Sequence, residues 1–353
     1  MPHPDKPRKG ITVDQKSVDR ELEVWQMSSM ALNSEWELIK KISLVSGTEP
    51  FPGLIQGIGD DCAVFETGEN RYGLITTDIS IENVHFKTSC ASPEEIGFKA
   101  MSGNMSDIAA MGGRPCLAFV SLGLPRGLDE SYVESLYRGM TRAAGSAGPK
   151  IAGGDVSSSE VLVINIAVYG EAGPEKPVMR KGARTGDTVY LTGTTGASLA
   201  GLEILTEGID RGRYPELVQK HLTPGNRTND VEEILTLYRP SAMIDVSDGL
   251  LSDLRHLCEA SERGFILFSE KIPVSPELQA YARGRKKDPL AYALNSGEEF
   301  ELVFTASAAP VETRRLRSGT PVTPIGSIVD HGFFLSEKGT KKEIAITGYD
   351  HFI

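Results

Sequence analysis

Between Tyr72 and Gly170 the hydrophobic pattern switches repeatedly between strand-like and helix-like spacing. Leu74-Ile75-Thr76-Thr77 predicts a strand that delivers Asp78 at its end. Ser92-Pro93-Glu94-Glu95 combines an N-cap serine, a proline at the first helical position and the glutamate of a capping box. The helix it starts is expected to run toward Met111 and stop at Gly112-Gly113. Leu117 to Leu122, bounded by glycine and proline, predicts a buried strand, and Leu162 to Tyr169 another. Tyr132, Val133, Leu136 and Met140 fall on one face of a second amphipathic helix.

The segment Glu171 to Gly186, rich in glycine, proline and charge, places a domain boundary near residue 173. The expected division is a polar extension over 1–30, one domain over 31–173 and a second over 174–353. Past the boundary, Thr188 to Leu191 predicts a strand and Ser198 to Glu207 a helix. Asp248 to Ala260 predicts a helix burying Leu250, Leu251, Leu254, Leu257 and Cys258, with Gly264 as a stop. Phe300 to Thr305 predicts a strand introduced by the turn Asn295-Ser296-Gly297. Before residue 31 the chain is charged, with one weakly helical stretch at Val18 to Met27; order is expected from about Ser34, with a short helix at Glu35 to Ile42.

Charge narrows the functional classes. A net charge of −11 argues against general binding to nucleic acid or anionic membranes. It leaves a phosphorylated ligand open, because bound cations invert a local field. No apolar run approaches the ~18 residues of a membrane span, and Met1 to Gly10 lacks the apolar segment of a signal peptide. The four cysteines are scattered, which fits free thiols in a cytoplasmic protein rather than disulfides or zinc.

The chemistry-bearing signal is a set of aspartates at element ends, beside glycine or other small residues. They are Asp60 and Asp61, Asp78, Asp107, Asp155, Asp245 and Asp248. Singly, most are explained as turn residues or helix caps. Asp107 resists that explanation: Met101, Met105, Ile108 and Ala109 mark its helix as buried, and a charge there needs a partner. No lysine or arginine pairs with these aspartates by local spacing. If they converge, they must share cations or take up protons. Oxygen-only donors favour Mg²⁺, completed by phosphate oxygens of a nucleotide. The usual nucleotide motifs are missing: there is no P-loop, and no G-x-G-x-x-G follows a strand. Gly193-Thr194-Thr195-Gly196-Ala197-Ser198 enters a helix and could hold an anion, but the signal alone is weak and a plain tight turn explains it better.

Several segments then occur in a recognisable order. They are Gly57-Ile58-Gly59-Asp60-Asp61-Cys62-Ala63, Thr76-Thr77-Asp78, Asn83-Val84-His85-Phe86 and Asn104-Met105-Ser106-Asp107-Ile108-Ala109-Ala110-Met111-Gly112. Gly153-Gly154-Asp155, Arg180-Lys181-Gly182-Ala183, Ile244-Asp245-Val246-Ser247-Asp248-Gly249-Leu250, Ser296-Gly297-Glu298-Glu299-Phe300-Glu301-Leu302 and Gly348-Tyr349-Asp350-His351-Phe352 follow. From about Ser34 onward the chain resembles the thiamine-monophosphate kinases. The resemblance implies a mixed α/β (α+β) fold of the aminoimidazole-ribonucleotide-synthetase type, with an N-terminal α/β sheet domain that pairs in a homodimer and a C-terminal α+β domain. It implies ATP and thiamine monophosphate as substrates and several Mg²⁺ ions. As metal ligands it implies Asp61, Thr76, Thr77, Asp78, Asp107, Asp155, Asp245 and Asp248, of which Asp78, Asp107, Asp155 and Asp245 carry the catalytic role. Nucleotide contacts fall to Gly154, Asp155, Arg180 and Ser247. His85, Glu298, Glu299 and Ile346 fall to the thiamine side. Two departures stand out: Ser296-Gly297-Glu298-Glu299 replaces the family's Gly-Gly-Glu-Asp, and Ile346 stands where an aromatic residue often lies. The alternatives are another ATP-using enzyme of this fold and a non-catalytic binder of nucleotide or thiamine phosphate.

Overall fold

The structure, a computed structural model, describes residues 35–46, 51–173, 177–307 and 312–346. The Val18–Met27 stretch, the start of order near Ser34 and the Gly348–Phe352 motif lie outside them. The chain divides into two units, residues 1–48 with 350–353, and residues 49–349. In the first, helix α1 (Glu35–Val45) has no buried residue.

The first half of the second unit forms a six-stranded sheet in the order β1-β2-β3-β6-β4-β5. The strands are β1 (Leu54–Gln56), β2 (Ala63–Gly68), β3 (Arg71–Ile81), β4 (Arg114–Pro125), β5 (Lys150–Ser159) and β6 (Val163–Ala172). Helices α2 (Pro93–Ala110) and α3 (Glu130–Ala144) cover one face. The β4–α3–β5 crossover makes β4 and β5 parallel, whereas all other neighbours are antiparallel. The capping box that starts α2 is present: Ser92 Oγ accepts from Glu95 N–H, and the Glu95 carboxylate accepts from Ser92 N–H. The two helices cross so closely that a Cβ on Gly97 would lie 2.0 Å from Leu136 O, and one on Gly139 1.9 Å from Glu94 O. Between helices and sheet, Met101, Met105, Ile108, Leu136, Met140, Ile164, Ile166 and Val168 form the core.

The strand expected to end at Asp78 continues to Ile81, because Asp78 to Ile81 pair with Val163 to Ile166 of β6. Strand β5 carries no strand-like apolar alternation; its Gly-Gly-Asp and serine run pairs with β4 at the sheet edge. Among the described residues nothing covers the opposite face of this sheet, which exposes Ile75, Ile79, Leu117 and Phe119.

The second half begins with β7 (Thr188–Thr192), α4 (Ala197–Thr206), α5 (Pro215–Leu222), α6 (Val231–Tyr238), β8 (Ala242–Asp245), α7 (Leu250–Ala260) and β9 (Gly264–Phe268). It continues with α8 (Pro276–Arg285), α9 (Pro289–Asn295), β10 (Leu302–Ala306), β11 (Arg314–Arg315), β12 (Pro321–Val329), β13 (Phe333–Glu337) and β14 (Thr340–Glu343). The sheet order is β14-β13-β9-β12-β7-β10-β8, with β11 beside β12. Helix α2 joins the two halves: its last residue, Ala110, packs into the core of Tyr190, Tyr238, Leu302 and Phe304. That docking brings the C-terminal turns of α2 to the end of β8.

Candidate functional site

Three carboxylates from distant segments meet where α2 reaches β8. One oxygen each of Asp61, Asp107 and Asp245 lies within 4.8 Å of the others. Asp61 follows the short β1, Asp107 sits in the last turn of α2, and Asp245 ends β8. Hydroxyls orient two of them. Thr76 Oγ1 donates to Asp107 Oδ2 (2.6 Å), and Ser106 Oγ donates to Asp245 Oδ2 (2.6 Å). Asp61 Oδ1 accepts from Arg180 Nε (3.2 Å) and a terminal guanidinium nitrogen (2.5 Å). Asp61 Oδ2 is buried with no hydrogen-bond partner. An orphaned carboxylate oxygen inside a ring of carboxylates is a position that a cation fills.

Asp78 stands on the open side of this group. Asn104 Oδ1 accepts its backbone N–H (3.1 Å), and Asn104 Nδ2 donates to Ala100 O (3.0 Å). Desolvation and like charges raise Asp78, Asp107 and Asp245. Asp78 is raised to about 6, by desolvation and then Asp61. Asp245 is raised to about 8, by desolvation and then Asp61. Asp107 is pushed well up by desolvation, Asp78, Asp245 and Asp61, against the Thr76 hydrogen bond. Arg180, 119 residues from Asp61 in the chain yet in contact with it here, is the cation that local sequence spacing missed. Desolvation works against its charge, and Asp61 outweighs it.

Asp61, rather than Asp60, joins the cluster. Asp60 instead accepts the backbone N–H of Arg180 (3.1 Å), and desolvation followed by the Asp61 charge raises it to about 7. The Asp245–Gly249 loop is held by Asp253, which sequence reading did not single out. Asp253 Oδ2 accepts from the N–H groups of Ser247 (3.1 Å), Asp248 (3.2 Å) and Gly249 (3.0 Å). An acidic residue in the first turn of α7 was the available signal. Ser247 and Asp248 thus border the cluster through a backbone turn, and neither belongs to the three-carboxylate group.

Other expected site residues lie elsewhere. Thr77 and Asp155 are on the uncovered face of the first sheet, opposite Thr76 and α2. Asn165 Nδ2 donates to Thr77 Oγ1 (3.1 Å). Asp155 pairs with Ser121, Ser121 with Asn165, and Asn165 with Ile79. Three strand spacings of roughly 4.8 Å therefore separate Asp155 from β3, and within one chain it does not reach the cluster. Gly154 has a packing reason for its identity: φ is 152°, and a Cβ would lie 1.7 Å from Val120 O of β4.

On the acceptor side, Glu298 pairs with Lys99 of α2 and lies 3.9 Å from His221 Nδ1. Glu299 does not share that surface. It is fully buried, and its Oε1 accepts from Gly196 N–H (2.7 Å), Ser198 N–H (3.0 Å) and Ser296 Oγ (2.6 Å). The anion held by the Gly193–Ser198 loop is therefore Glu299 itself, which caps the start of α4. His85 Nδ1 accepts from Ile81 N–H (3.0 Å), which closes the turn after β3. Ile346 packs partly against the core of the second half, and its carbonyl accepts from Arg255 (3.4 Å).

Two family models match this arrangement of halves. AIR synthase related protein, N-terminal domain, matches residues 59–172, and AIR synthase related protein, C-terminal domain, matches residues 184–335. The chain is thus a two-domain protein of the AIR synthase related class. Within that class it is 39% identical to a thiamine-monophosphate kinase of Aquifex aeolicus (strain VF5), over 84% of this chain and 92% of the relative. It is 33% identical to one of Bacillus subtilis (strain 168), over 84% of this chain and 93% of the relative. The solved structure of AaThiL complexed with AMPPCP and TMP superposes with a TM-score of 0.79 at 37% identity, covering 90% of this chain and 97% of that one. The chain belongs to the thiamine-monophosphate kinase family.

Proposed function

We infer that the protein transfers the γ-phosphoryl group of ATP to the phosphate of thiamine monophosphate, giving thiamine diphosphate and ADP. The observation that carries this is the convergence of Asp61, Asp107 and Asp245 in a chain of this family. The acceptor is a phosphate monoester whose second pKa is near ~6, so it is mostly dianionic at neutral pH and needs no strong base. His221, lowered to about 4 by desolvation and then Lys99, is a poor base at neutral pH, and desolvation and the nearby aspartates keep the Cys62 thiol protonated.

The obstacle is repulsion between two polyanions. Magnesium held by Asp61, Asp107 and Asp245, with Asp78 at the open edge, would screen that repulsion and stabilise charge on the transferring group. The donor set fits: it is all oxygen, clustered, short of positive charge and provided with one orphaned oxygen. Thr76 and Ser106 hold two carboxylates in fixed orientation. Arg180 pairs with Asp61, and a guanidinium can exchange such a contact for a bidentate one to phosphate. Transfer is direct and in line, without a phosphoenzyme.

The domain division at residues 31–173 and 174–353 belongs to this proposal, supported by the two separate family matches. So do a cytoplasmic setting and a homodimer. The four cysteines are unpaired, and no described helix is long and apolar enough to cross a membrane. The uncovered apolar face around Ile75, Ile79, Leu117 and Phe119 is the surface a second copy would cover, which would bury Thr77 and Asp155 in the interface. A monomer in sedimentation equilibrium at micromolar concentration would remove that part.

The test is product formation from ATP, Mg²⁺ and thiamine monophosphate, with a chelator control and free thiamine as a decoy acceptor. Thiamine diphosphate is expected only with metal and only from the monophosphate. Nucleotide binding without product would instead favour another acceptor on this fold.

A further inference from the structure

Lys99 lies on the helix that carries Asp107, away from the three-carboxylate group. It stands on α2 one turn before Gly103 and two before Asp107, so the three share a stripe of that helix. Its side chain is only 12% exposed, and its ammonium pairs with Glu298 from the segment between α9 and β10. The neighbouring cations are committed elsewhere. Arg227 and Lys220 pair with Glu301, and Arg180 pairs with Asp61. His221 is neutral at physiological pH, its pKa lowered to about 4 by desolvation and then by Lys99 itself. Lys99 is thus the ammonium that balances Glu298.

Glu298 keeps 35% of its side chain exposed, so the pair opens to solvent on that side. Its backbone is left-handed, with φ 55°, and so is that of Phe300, with φ 50°. Such backbone is costly for these residue types and persists only where the surroundings impose it. Here the loop after β8 imposes it: Glu298 N–H donates to Ser247 O (2.7 Å), and Phe300 N–H donates to Val246 O (2.9 Å). The same turn sets the Phe300 ring against Gly103. A Cβ on Gly103 would lie 3.2 Å from that ring and 3.7 Å from Asp78 Oδ2. The stripe therefore runs from the Lys99–Glu298 pair, over Gly103 and beside Asp78, to Asp107. Eight residues of α-helix separate its ends, about 12 Å.

We propose that the Lys99–Glu298 pair is a clamp for a zwitterionic acceptor, with Lys99 taking its phosphate and Glu298 its cationic ring. This rests on the kinase reading above. Thiamine monophosphate carries a thiazolium cation and, on the hydroxyethyl arm of that ring, a phosphate. When it binds, each half of the pair exchanges its protein partner for a substrate charge, and neither charge is left desolvated alone. Free thiamine brings only the cation. It would draw Glu298 away and leave the Lys99 ammonium unpaired, a penalty that disfavours the unphosphorylated acceptor. Lys99 also holds the acceptor phosphate on the stripe that leads to the carboxylates, so recognition and alignment are one contact.

Calorimetry on the full chain, with AMPPCP and Mg²⁺ present, would measure binding of thiamine monophosphate and of thiamine. Wild type should prefer the monophosphate. Lys99→Met should weaken monophosphate binding about tenfold or more and leave thiamine unchanged or tighter, so the preference collapses. Lys99→Arg should retain most of it. Glu298→Gln should weaken thiamine and still prefer the phosphate. Lys99→Gln, polar but uncharged, carries the test where Lys99→Met does not fold. A merely structural ion pair would make the Lys99 and Glu298 variants weaken both ligands alike, and that result overturns the clamp. So does a preference that survives Lys99→Met. Wild type that binds AMPPCP but neither acceptor overturns the kinase reading, and the clamp with it.

Discussion

Two groups of carboxylates inside the same unit are treated in opposite ways. Glu301 is buried, yet Lys220 lies 3.0 Å from it, Arg227 contacts both its oxygens at 2.5 and 2.6 Å, and Thr192 donates at 2.7 Å. Desolvation would raise its pKa, but Lys220 and Arg227 outweigh that and hold it at about 2. Asp61, Asp78, Asp107 and Asp245 have Arg180 as their cation and two hydroxyls as orienting donors, and their charges repel one another. The first group is electrically complete and needs nothing from solution. The second is complete only when cations arrive. Burial and acidity are common to both; the charge balance separates a structural network from a site.

Removing one charge from each group gives the sharpest contrast. Asp107→Asn should lower kcat/KM by about 10³-fold or more, with the melting temperature unchanged or raised, because it relieves repulsion. Steady-state kinetics paired with calorimetric melting checks both halves. An active Asp107→Asn enzyme would break the assignment. Glu301→Gln should do the reverse. It leaves Lys220 and Arg227 desolvated without their partner and should cost about 3–5 kcal/mol of stability, while activity per folded molecule is largely kept. Urea unfolding of the two variants side by side would decide.

The smallest expected effect concerns pH and metal together. The Asp245 pKa is raised to about 8, so its stabilising contribution is full below the ordinary carboxylate range and is lost as pH rises from about 4 through 8. Glu301 has the opposite sign: its contribution is present above about 4.5 and is lost as pH falls toward 2. Without metal the acidic cluster should therefore weaken the fold on the alkaline side. Magnesium at a hundredfold excess over its Kd should restore about 2–3 kcal/mol, more at pH 8 than at pH 5.5, where protons compete. Differential scanning calorimetry with magnesium or EDTA at the two pH values measures this. Equal shifts at both would mean that the ion binds elsewhere.

Legibility in the sequence followed the range of the interaction. The capping box at Ser92 and Glu95 and the apolar stripe of α2 were readable because their partners lie within one or two helical turns. Strand β5 was not, because a glycine- and serine-rich edge strand has no apolar alternation; parallel pairing with β4 makes it a strand. The Gly193–Ser198 loop read best as a plain tight turn, yet it holds an anion, because its occupant, Glu299, comes from about a hundred residues away. Asp253, holding three N–H groups of the loop after β8, was passed over because a first-turn acid looks like ordinary helix-end electrostatics.

The sequence by itself determined the family, the presence of an acidic constellation and the anomaly of a charge at Asp107 within an apolar helix, since residue type and local spacing carry all three. Tertiary structure alone decided which aspartates meet. Adjacent strand residues point to opposite faces, so Thr76 turns to Asp107 while Thr77 faces away, and Asp155 is left on the far side of the sheet. It also decided which cations serve which carboxylates. Arg180, Lys220, Arg227 and Lys99 reach their partners across 74 to 199 residues of chain, and no local pattern records a contact made only when segments so far apart pack together.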